Sequence, residues 1–369
     1  MRKKIIEFLS NLHLDLSLCL GIFILMGMNF VILYSASGAN PSVMYSQIIR
    51  SVVAIAIMMF MAYLPPRFYK KWAFTLYIIC TILLLCVLLF GHVGKGAERW
   101  LDLGIIRFQP SEFLKIVMPI AIAAFFARGK LPPKLLSFVC AMILIAIPVV
   151  LIILQPDLGT AILISISGGF IVYLAGLNWY LILFGSLSLI IYSVIHWFFF
   201  MYDYQKQRII TFLNPESDPL DKGYNIIQSK IAIGSGGMWG KGWLNGTQSH
   251  LQFLPERHTD FIFAVFCEEF GFVGFLVLLT AYMYIILRCV YISMNAQTNF
   301  QRLLSGSLTL TFFCYVFINT GMVSGLLPVV GVPLPMISYG GTSLITLSAS
   351  FGIIMSIHTH HKKNFYQLG

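Results

Sequence analysis

Residues 253–287 read FLPERHTDFIFAVFCEEFGFVGFLVLLTAYMYIIL, and the run that starts at Asp260 predicts the class of fold. From Asp260 to Leu287 the run exceeds the roughly 20 apolar residues that a helix needs to cross the hydrocarbon core of a bilayer. It therefore predicts a membrane helix, although it contains Glu268 and Glu269. It also places the Asp260 carboxylate where water gives way to hydrocarbon, and a charge at that depth calls for an explanation.

The composition extends this prediction to the whole chain of 369 residues. Hydrophobic residues make up 58%, charged residues only 10%, and the mean hydropathy is +0.85, whereas a soluble domain carries about 25% charged residues. We predict one all-α integral membrane domain over residues 1–369, because an open strand would leave backbone groups unpaired in lipid. The ten predicted spans are Leu16 to Tyr34, Val43 to Leu64, Trp72 to Phe90, Pro110 to Ala127, Leu135 to Leu154, Leu158 to Leu177, Trp179 to Met201, Asp260 to Leu287, Leu303 to Leu327 and Pro335 to Ile357.

The basic residues predict the orientation of these spans, because cytoplasmic loops are rich in Lys and Arg. With a cytoplasmic N-terminus, the inner segments contain the acids Glu7 and Asp15 and no others. The bases in those segments are Arg2, Lys3, Lys4, Arg67, Lys70, Lys71, Arg128, Lys130, Lys134, Arg288, Arg302, Lys362 and Lys363. We therefore expect both termini to be cytoplasmic. The net charge of +10 reflects this topology and does not indicate binding to nucleic acid.

Two predicted loops on the outer side of the membrane, residues 91–109 and 202–259, are long enough to carry function. The second loop joins the seventh and eighth spans and contains GYNIIQSKIAIG, whose isoleucine spacing favours a helix. GSGGMWGKGWLNG follows at residues 234–246. This glycine-rich segment is either a flexible turn at the membrane interface or part of a functional loop, and local sequence leaves both interpretations open.

A pair of opposite charges opens the fourth span in GAERWLDLGIIRFQPSEFLK. Glu112 and Lys115 are three residues apart, so they share one helix face. They form either a structural ion pair between helices or part of a polar cavity that binds a charged ligand, the usual role of intramembrane charges.

An acid also opens the sixth span, in QPDLGTA. Asp157 follows a proline at the start of the apolar run, as Glu112 does. A carboxylate in this position is typical of a helix cap or a first-turn acid. We favour the cap and keep Asp157 as a candidate for substrate binding.

GLLPVVGVPLPMISYGGTS contains three prolines and a pair of adjacent glycines, which together exclude a regular helix. Irregular backbone at membrane depth is tolerated where it lines a cavity or is packed in protein. We therefore predict a re-entrant or irregular segment at residues 328–341, beside the functional site.

Four stretches resemble, in this order, the shape, elongation, division and sporulation family of bacterial membrane proteins. They are RWLDLGIIRFQPSEFLK, QPDLGT, GTQSHLQFLPERHTDFIFAVFCEEFG and LLPVVGVPLPMISYGGTS. The resemblance extends over nearly all of the chain. FGIIMSIHTHHKK, PVVGVPLP and the short N-terminus are most similar to the rod-shape branch of the family rather than its division branch.

The resemblance implies a ten-helix peptidoglycan polymerase that joins Lipid II molecules on the periplasmic face and releases undecaprenyl diphosphate. It assigns to Asp260 the base that takes the proton of the attacking sugar hydroxyl, in a single displacement that inverts the anomeric carbon. The implied partners are a class B penicillin-binding transpeptidase and other membrane proteins of the elongation complex. Local sequence alone leaves a second interpretation of Asp260 open, as a helix N-cap.

The departing diphosphate requires positive charge nearby. The candidate cations are Arg99, Lys115, Arg208, Lys230, Lys241 and Arg257. Together with Glu112 and Asp157, all of these except Arg257 form the predicted substrate-binding set. A divalent cation, Mg²⁺ or Mn²⁺, held by carboxylates is an alternative, and no organic cofactor is expected.

Two other functions fit a bundle that holds ionisable groups. A flippase for a lipid-linked sugar would have broken helices near mid-membrane and polar groups on both sides. A scaffold for the wall-building complex would leave the buried charges unexplained. Because nearly all acids fall in the outer half, we favour chemistry at the periplasmic surface.

Overall fold

The computed structural model describes residues 13–90, 92–94, 97–102, 107–177, 179–201, 203, 206–207, 210–211, 214, 222–247 and 257–366. Seven helices in these ranges are long and apolar enough to cross a membrane. The chain is therefore a multi-pass helical membrane protein.

Eleven helices and three short strands are present in these ranges. The helices are α1 (Leu16–Ala36), α2 (Pro41–Tyr63), α3 (Pro66–Phe90), α4 (Pro110–Phe126), α5 (Leu135–Leu154), α6 (Leu158–Leu174), α7 (Trp179–Phe199), α8 (Lys222–Ser235), α9 (Ile262–Met294), α10 (Asn299–Val323) and α11 (Thr342–Tyr366). The strands are β1 (His92–Gly94), β2 (Ala97–Asp102) and β3 (Arg107–Phe108). Helix α11 packs along α2, α3 along α4, and α9 between α1 and α10.

Each predicted span overlaps a helix, and α8 confirms the helix predicted in the second long loop, but several ends differ. Helix α10 begins earlier than predicted, because Thr298 and Gln301 form a capping box that the apolar count ignores. Helix α11 begins at Thr342 rather than Pro335, because the irregular backbone continues as far as Gly341.

The first long loop contains strands, whereas the sequence analysis treated residues 91–109 as a loop without secondary structure. Its strands form a three-stranded antiparallel sheet in the order β1-β2-β3. The backbone groups of a loop outside the spans still need partners, and pairing between neighbouring strands supplies them. Apolar periodicity carries little information on strands as short as these.

Helix α9 is broken at Gly271, and the glycine-rich segment forms backbone hydrogen bonds with the residues on both sides of the break. Gly271 has φ +64° and ψ −161°, so the helical ladder is interrupted there. Four hydrogen bonds from residues 237–242 replace the missing ones: Lys241 N to Glu268 O at 3.0 Å, Gly242 N to Glu269 O at 3.0 Å, Phe272 N to Gly237 O at 2.9 Å and Val273 N to Met238 O at 3.1 Å. The segment thus contains turns, as one of the two interpretations predicted, and backbone hydrogen bonds join it to α9.

An ion pair joins the start of α1 to the last part of α9, at the end of the bundle that is opposite the start of α9. Asp15 caps α1 and accepts two hydrogen bonds from Arg288, with Nη2 to Oδ2 at 2.6 Å and Nε to Oδ1 at 3.1 Å. His358 Nε2 lies 3.3 Å from Asp15 Oδ2 and adds α11 to the contact. Burial alone would raise the pKa of Asp15, but the hydrogen bonds from Arg288 and the Leu18 amide hold it below its usual value.

Gly240→Ala is expected to lower the melting temperature of the purified protein by several degrees. Gly240 has φ +78°, and an added Cβ would lie 2.1 Å from Glu269 O, so the segment must move away from the break in α9. The matched control is Gly234→Ala, where the added Cβ meets no atom within 4 Å. Thermal melting in detergent compares the two variants. Equal melting temperatures would contradict a stabilising role for the contact between the glycine-rich segment and α9.

Candidate functional site

Asp260 lies in the turn that precedes α9, and its side chain is half-buried. The N-cap residue of α9 is Phe261, so the interpretation of Thr259 or Asp260 as the N-cap is wrong. The carboxylate lies beside residue 331, because a Cβ added to Gly331 would be 3.5 Å from Asp260 Oδ2. In the same turn, burial lowers the pKa of the Arg257 guanidinium. The turn thus holds a carboxylate and a partly desolvated cation.

The predicted irregular segment forms one wall of this turn. Residues 324–341, called the irregular segment below, contain neither helix nor strand. The amide of Asn319 donates to Asp260 O at 2.9 Å and to Val332 O at 2.7 Å. The Ser338 hydroxyl donates to Thr259 O at 2.6 Å, and Tyr339 N donates to His258 O at 2.8 Å. These bonds fix the backbone on both sides of Asp260.

Glu112 and Lys115 form the predicted pair. Lys115 Nζ lies 2.6 Å from Glu112 Oε1; Glu112 is buried, and the Lys115 side chain is only 11% exposed. Thr346 on α11 lies 3.4 Å from Glu112 Oε2, and the Lys115 ammonium lies 5.6 Å from the ring centroid of Tyr315 on α10. The pair therefore links three helices, next to a cavity of about 20 Å³, which is room for one water molecule.

Asp157 caps α6, as the sequence favours. Its Oδ1 accepts a hydrogen bond from Thr160 N at 3.4 Å, and Gln109 Nε2 lies 3.5 Å from its Oδ2. The first turn of α6 also contacts the irregular segment, because a Cβ on Gly159 would lie 2.8 Å from Val330 O. Asp157 thus belongs to the same end of the bundle as Asp260.

The other candidate cations have different surroundings. Lys241 lies 2.8 Å from Glu268 Oε1, so a carboxylate already neutralises it. Lys230 is exposed on α8 and covers Gly325 of the irregular segment. Arg99 lies on β2, and its side chain is outside the described part of the structure, as is all of Arg208.

Sequence reasoning did not select the adjacent acids Glu268 and Glu269 as site residues. Glu268 and Glu269 are buried at the break in α9. Glu268 accepts hydrogen bonds from Lys241 and from Thr247 at 3.1 Å, and Glu269 accepts one from Ser35 of α1. The sequence signal that could have identified these residues is the pair of adjacent glutamates in an otherwise apolar run.

Sequence reasoning also did not select Arg50 as a candidate cation. Its guanidinium lies 4.3 Å from the ring centroid of Tyr339 in the irregular segment. Within the residues that the structure describes, Arg50 forms no ion pair. The signal was a lone cation inside the second predicted span.

No preformed metal centre is present in the described ranges. No group of three or more His, Cys, Asp and Glu side chains lies close enough there to hold an ion. A Mg²⁺ site needs fewer protein ligands, since one or two carboxylates plus substrate phosphates and water complete its octahedron. Asp260 and the first turn of α6, which Asp157 caps, lie against the neighbouring residues Gly331 and Val330 of the irregular segment.

Ionisable side chains therefore meet an irregular backbone segment at one end of a helical membrane bundle, which defines a polytopic membrane protein with a polar site at its surface. A family model described as "Cell cycle protein", named for FtsW, RodA and SpoVE, matches residues 9–363. The chain belongs to this family, which confirms the resemblance, and it is a multi-pass protein of the bacterial inner membrane.

Curated relatives carry the names of enzymes. Peptidoglycan glycosyltransferase MrdB of Escherichia coli (strain K12) is 54% identical over 355 residues, covering 96% of each chain. Probable peptidoglycan glycosyltransferase FtsW of Trichlorobacter lovleyi is 34% identical over 359 residues, covering 93% of this chain and 92% of the relative. The greater identity to MrdB, the RodA protein of E. coli, agrees with the rod-shape branch.

Two solved structures share the fold. A chain from a study of the structural coordination of polymerization and crosslinking by a peptidoglycan synthase complex matches with a TM-score of 0.83 and 29% identity, covering 93% of this chain and 97% of that one. Rod shape determining protein RodA of Thermus thermophilus matches with a TM-score of 0.70 and 28% identity, covering 93% and 96%. An aspartate-to-alanine variant of that RodA has also been solved.

Lys115→Met is expected to destabilise the protein by about 3–5 kcal/mol, because it leaves the buried Glu112 carboxylate without its partner. The double variant Glu112→Gln with Lys115→Met removes both charges and should recover most of the melting temperature. Thermal melting and glycan synthesis are measured together. Recovery of melting without synthesis supports a role in the site, whereas recovery of both would leave the pair a structural link.

Proposed function

We propose that this chain is an inverting peptidoglycan glycosyltransferase that polymerises Lipid II during cell elongation and releases undecaprenyl diphosphate. The observation that carries the proposal is the half-buried Asp260 carboxylate, which does not occupy the N-cap of α9 and lies against the irregular segment. The glycosyltransferase names of its relatives support the same reaction.

Asp260 is proposed as the general base. A sugar hydroxyl of one Lipid II attacks the anomeric carbon of another, and a carboxylate within reach accepts the hydroxyl proton as the new bond forms. The bonds from Asn319 and Ser338 hold the turn on both sides of Asp260, so its position is fixed before the substrate arrives.

The diphosphate that leaves must be stabilised by positive charge. We propose Arg257 and Lys230 as cations of this chain that act there, with Arg99 and Arg208 as further candidates from the long loops. Lys115 and Lys241 are held by Glu112 and Glu268, so they suit positioning better than phosphate binding. A Mg²⁺ or Mn²⁺ ion bound by Asp260 or Asp157 together with the diphosphate would supply the same charge.

The proposed topology has ten spans with both termini in the cytoplasm, within one domain. It adds α4, α6 and α7 to the seven helices that are long and apolar enough on their own. The loops at 91–109 and 202–259 then face the periplasm, where the substrate head group lies. In this proposed topology the Asp15–Arg288 pair lies at the cytoplasmic end.

The proposed partner is a class B penicillin-binding transpeptidase, with other membrane proteins of the elongation complex. Support comes from the likeness to a chain of a peptidoglycan synthase complex in which polymerization and crosslinking are coordinated. Such a partner would crosslink the glycan strands that this chain makes.

A second candidate function is translocation of Lipid II. Helix α9 is broken at Gly271, about 14 Å along its axis from its start, which is near mid-membrane as in transporters. Transport of a fluorescent Lipid II analogue across proteoliposomes tests this function. Asp260→Asn should leave transport unchanged if the break serves translocation alone.

Asp260→Asn is expected to reduce polymerisation of labelled Lipid II by a factor of about 10² to 10⁴, the usual cost of losing a general base. The variant keeps the size of the side chain and should express and melt like the parent protein. Asp203→Asn, at an exposed site in the same long loop, is the matched control. A near-parental rate for purified Asp260→Asn, assayed with a cognate transpeptidase, would rule out Asp260 as the base.

Cysteine labelling checks the orientation. Asn245→Cys is exposed in the glycine-rich segment, and Asn295→Cys is exposed between α9 and α10. The native cysteines are buried or half-buried, so their background should be low. A membrane-impermeant maleimide added to spheroplasts should label position 245 and not position 295. The reverse pattern would invert the topology.

A further inference from the structure

A basic cavity lies at the end of the bundle that is opposite Asp260. It has a volume of about 420 Å³ and lies between the start of α3, the start of α10 and α11. Its lining includes Arg67, Lys70, Thr298, Gln301 and His360. The proposed reaction uses none of these residues.

The charge of this cavity is one-sided. No carboxylate lines it, and among the residues that the structure describes Arg67 and Lys70 take part in no ion pair. Helix α3 starts at Pro66 with no acid in its first turn, so its partial positive charge adds to that of the two side chains. The cavity therefore favours an anion.

Exposed aromatic side chains place the cavity at the depth of lipid head groups. Tyr63 is 65% exposed at the end of α2, and Phe68 and Trp72 are 39% and 42% exposed on the first turns of α3. Aromatic residues concentrate where the bilayer meets water. A lipid anion suits this cavity better than a soluble anion does, because the acyl chains of a lipid can lie against the exposed apolar side chains of α2 and α3.

We propose that the basic cavity binds the head-group phosphate of an anionic phospholipid. Arg67 and Lys70 pair with the phosphate oxygens as charge-assisted donors. In the proposed topology this end of the bundle faces the cytoplasm, where basic pockets between membrane helices bind anionic head groups such as those of cardiolipin and phosphoinositides. The site is independent of the proposed polymerase reaction.

Native mass spectrometry of the purified full chain tests this site. Phosphatidylglycerol is titrated, with phosphatidylcholine and inorganic phosphate as the other two arms. Arg67→Gln with Lys70→Gln should weaken phosphatidylglycerol binding at least tenfold. The control Lys130→Gln with Lys134→Gln removes the same charge from exposed positions outside the cavity and should leave binding unchanged, as should Arg67→Lys with Lys70→Arg.

Each other result overturns the proposal. Equal loss in both Gln pairs would mean a general effect of surface charge. Equal binding of phosphatidylcholine would remove the preference for an anionic lipid, and inorganic phosphate binding as tightly as the lipid would make this a soluble anion site. Thermal melting without lipid confirms that each variant is folded, and no glycan assay enters the comparison.

Discussion

The structure depends on satisfying the backbone of the irregular segment inside a helical bundle. Residues 324–341 have no helical ladder, and a bilayer offers no water to replace it, so each buried carbonyl needs a donor from the protein. Side chains from several helices supply these donors: Asn29 to Ile337 O, Asn319 to Val332 O and Tyr282 to Pro335 O. The Tyr282 bond measures 2.6 Å and the Asn319 bond 2.7 Å. These bonds hold three carbonyls of the segment against three different helices.

This constraint also determines where the carboxylate lies. The turn before α9 shares its hydrogen bonds with the irregular segment. The helix is broken further on, at Gly271, and is bonded there to the glycine-rich segment. The half-helix between Asp260 and Gly271 is thus held at both ends. The break leaves the carbonyls of Glu268 and Glu269 without helical donors, and the amides of Lys241 and Gly242 replace them. The glycine-rich segment thereby supports the half-helix that follows Asp260.

Much of this arrangement was predictable, because membrane helices are set by local apolar length. Periodicity and composition located a helix at each of the ten predicted spans, and three prolines marked the irregular segment. The break at Gly271 was not predictable, since its stability comes from residues 237–242, which are distant in sequence. The pairing of Lys241 with Glu268 and the contact of Arg50 with Tyr339 are likewise tertiary. Sequence spacing identified the Glu112–Lys115 pair because both residues lie on one helix.

The pattern of ion pairs limits which cations can stabilise a diphosphate. A cation that already faces a carboxylate inside the bundle must leave that carboxylate uncompensated to bind another anion, at a cost of several kcal/mol. Lys115, Lys241 and Arg288 are all in this position, with Glu112, Glu268 and Asp15. Arg50 and Lys230 have no such partner among the described side chains, and both lie against the irregular segment. For the proposed reaction, positive charge for the leaving diphosphate is therefore available at less cost from residues beside the irregular segment than from the paired lysines inside the bundle.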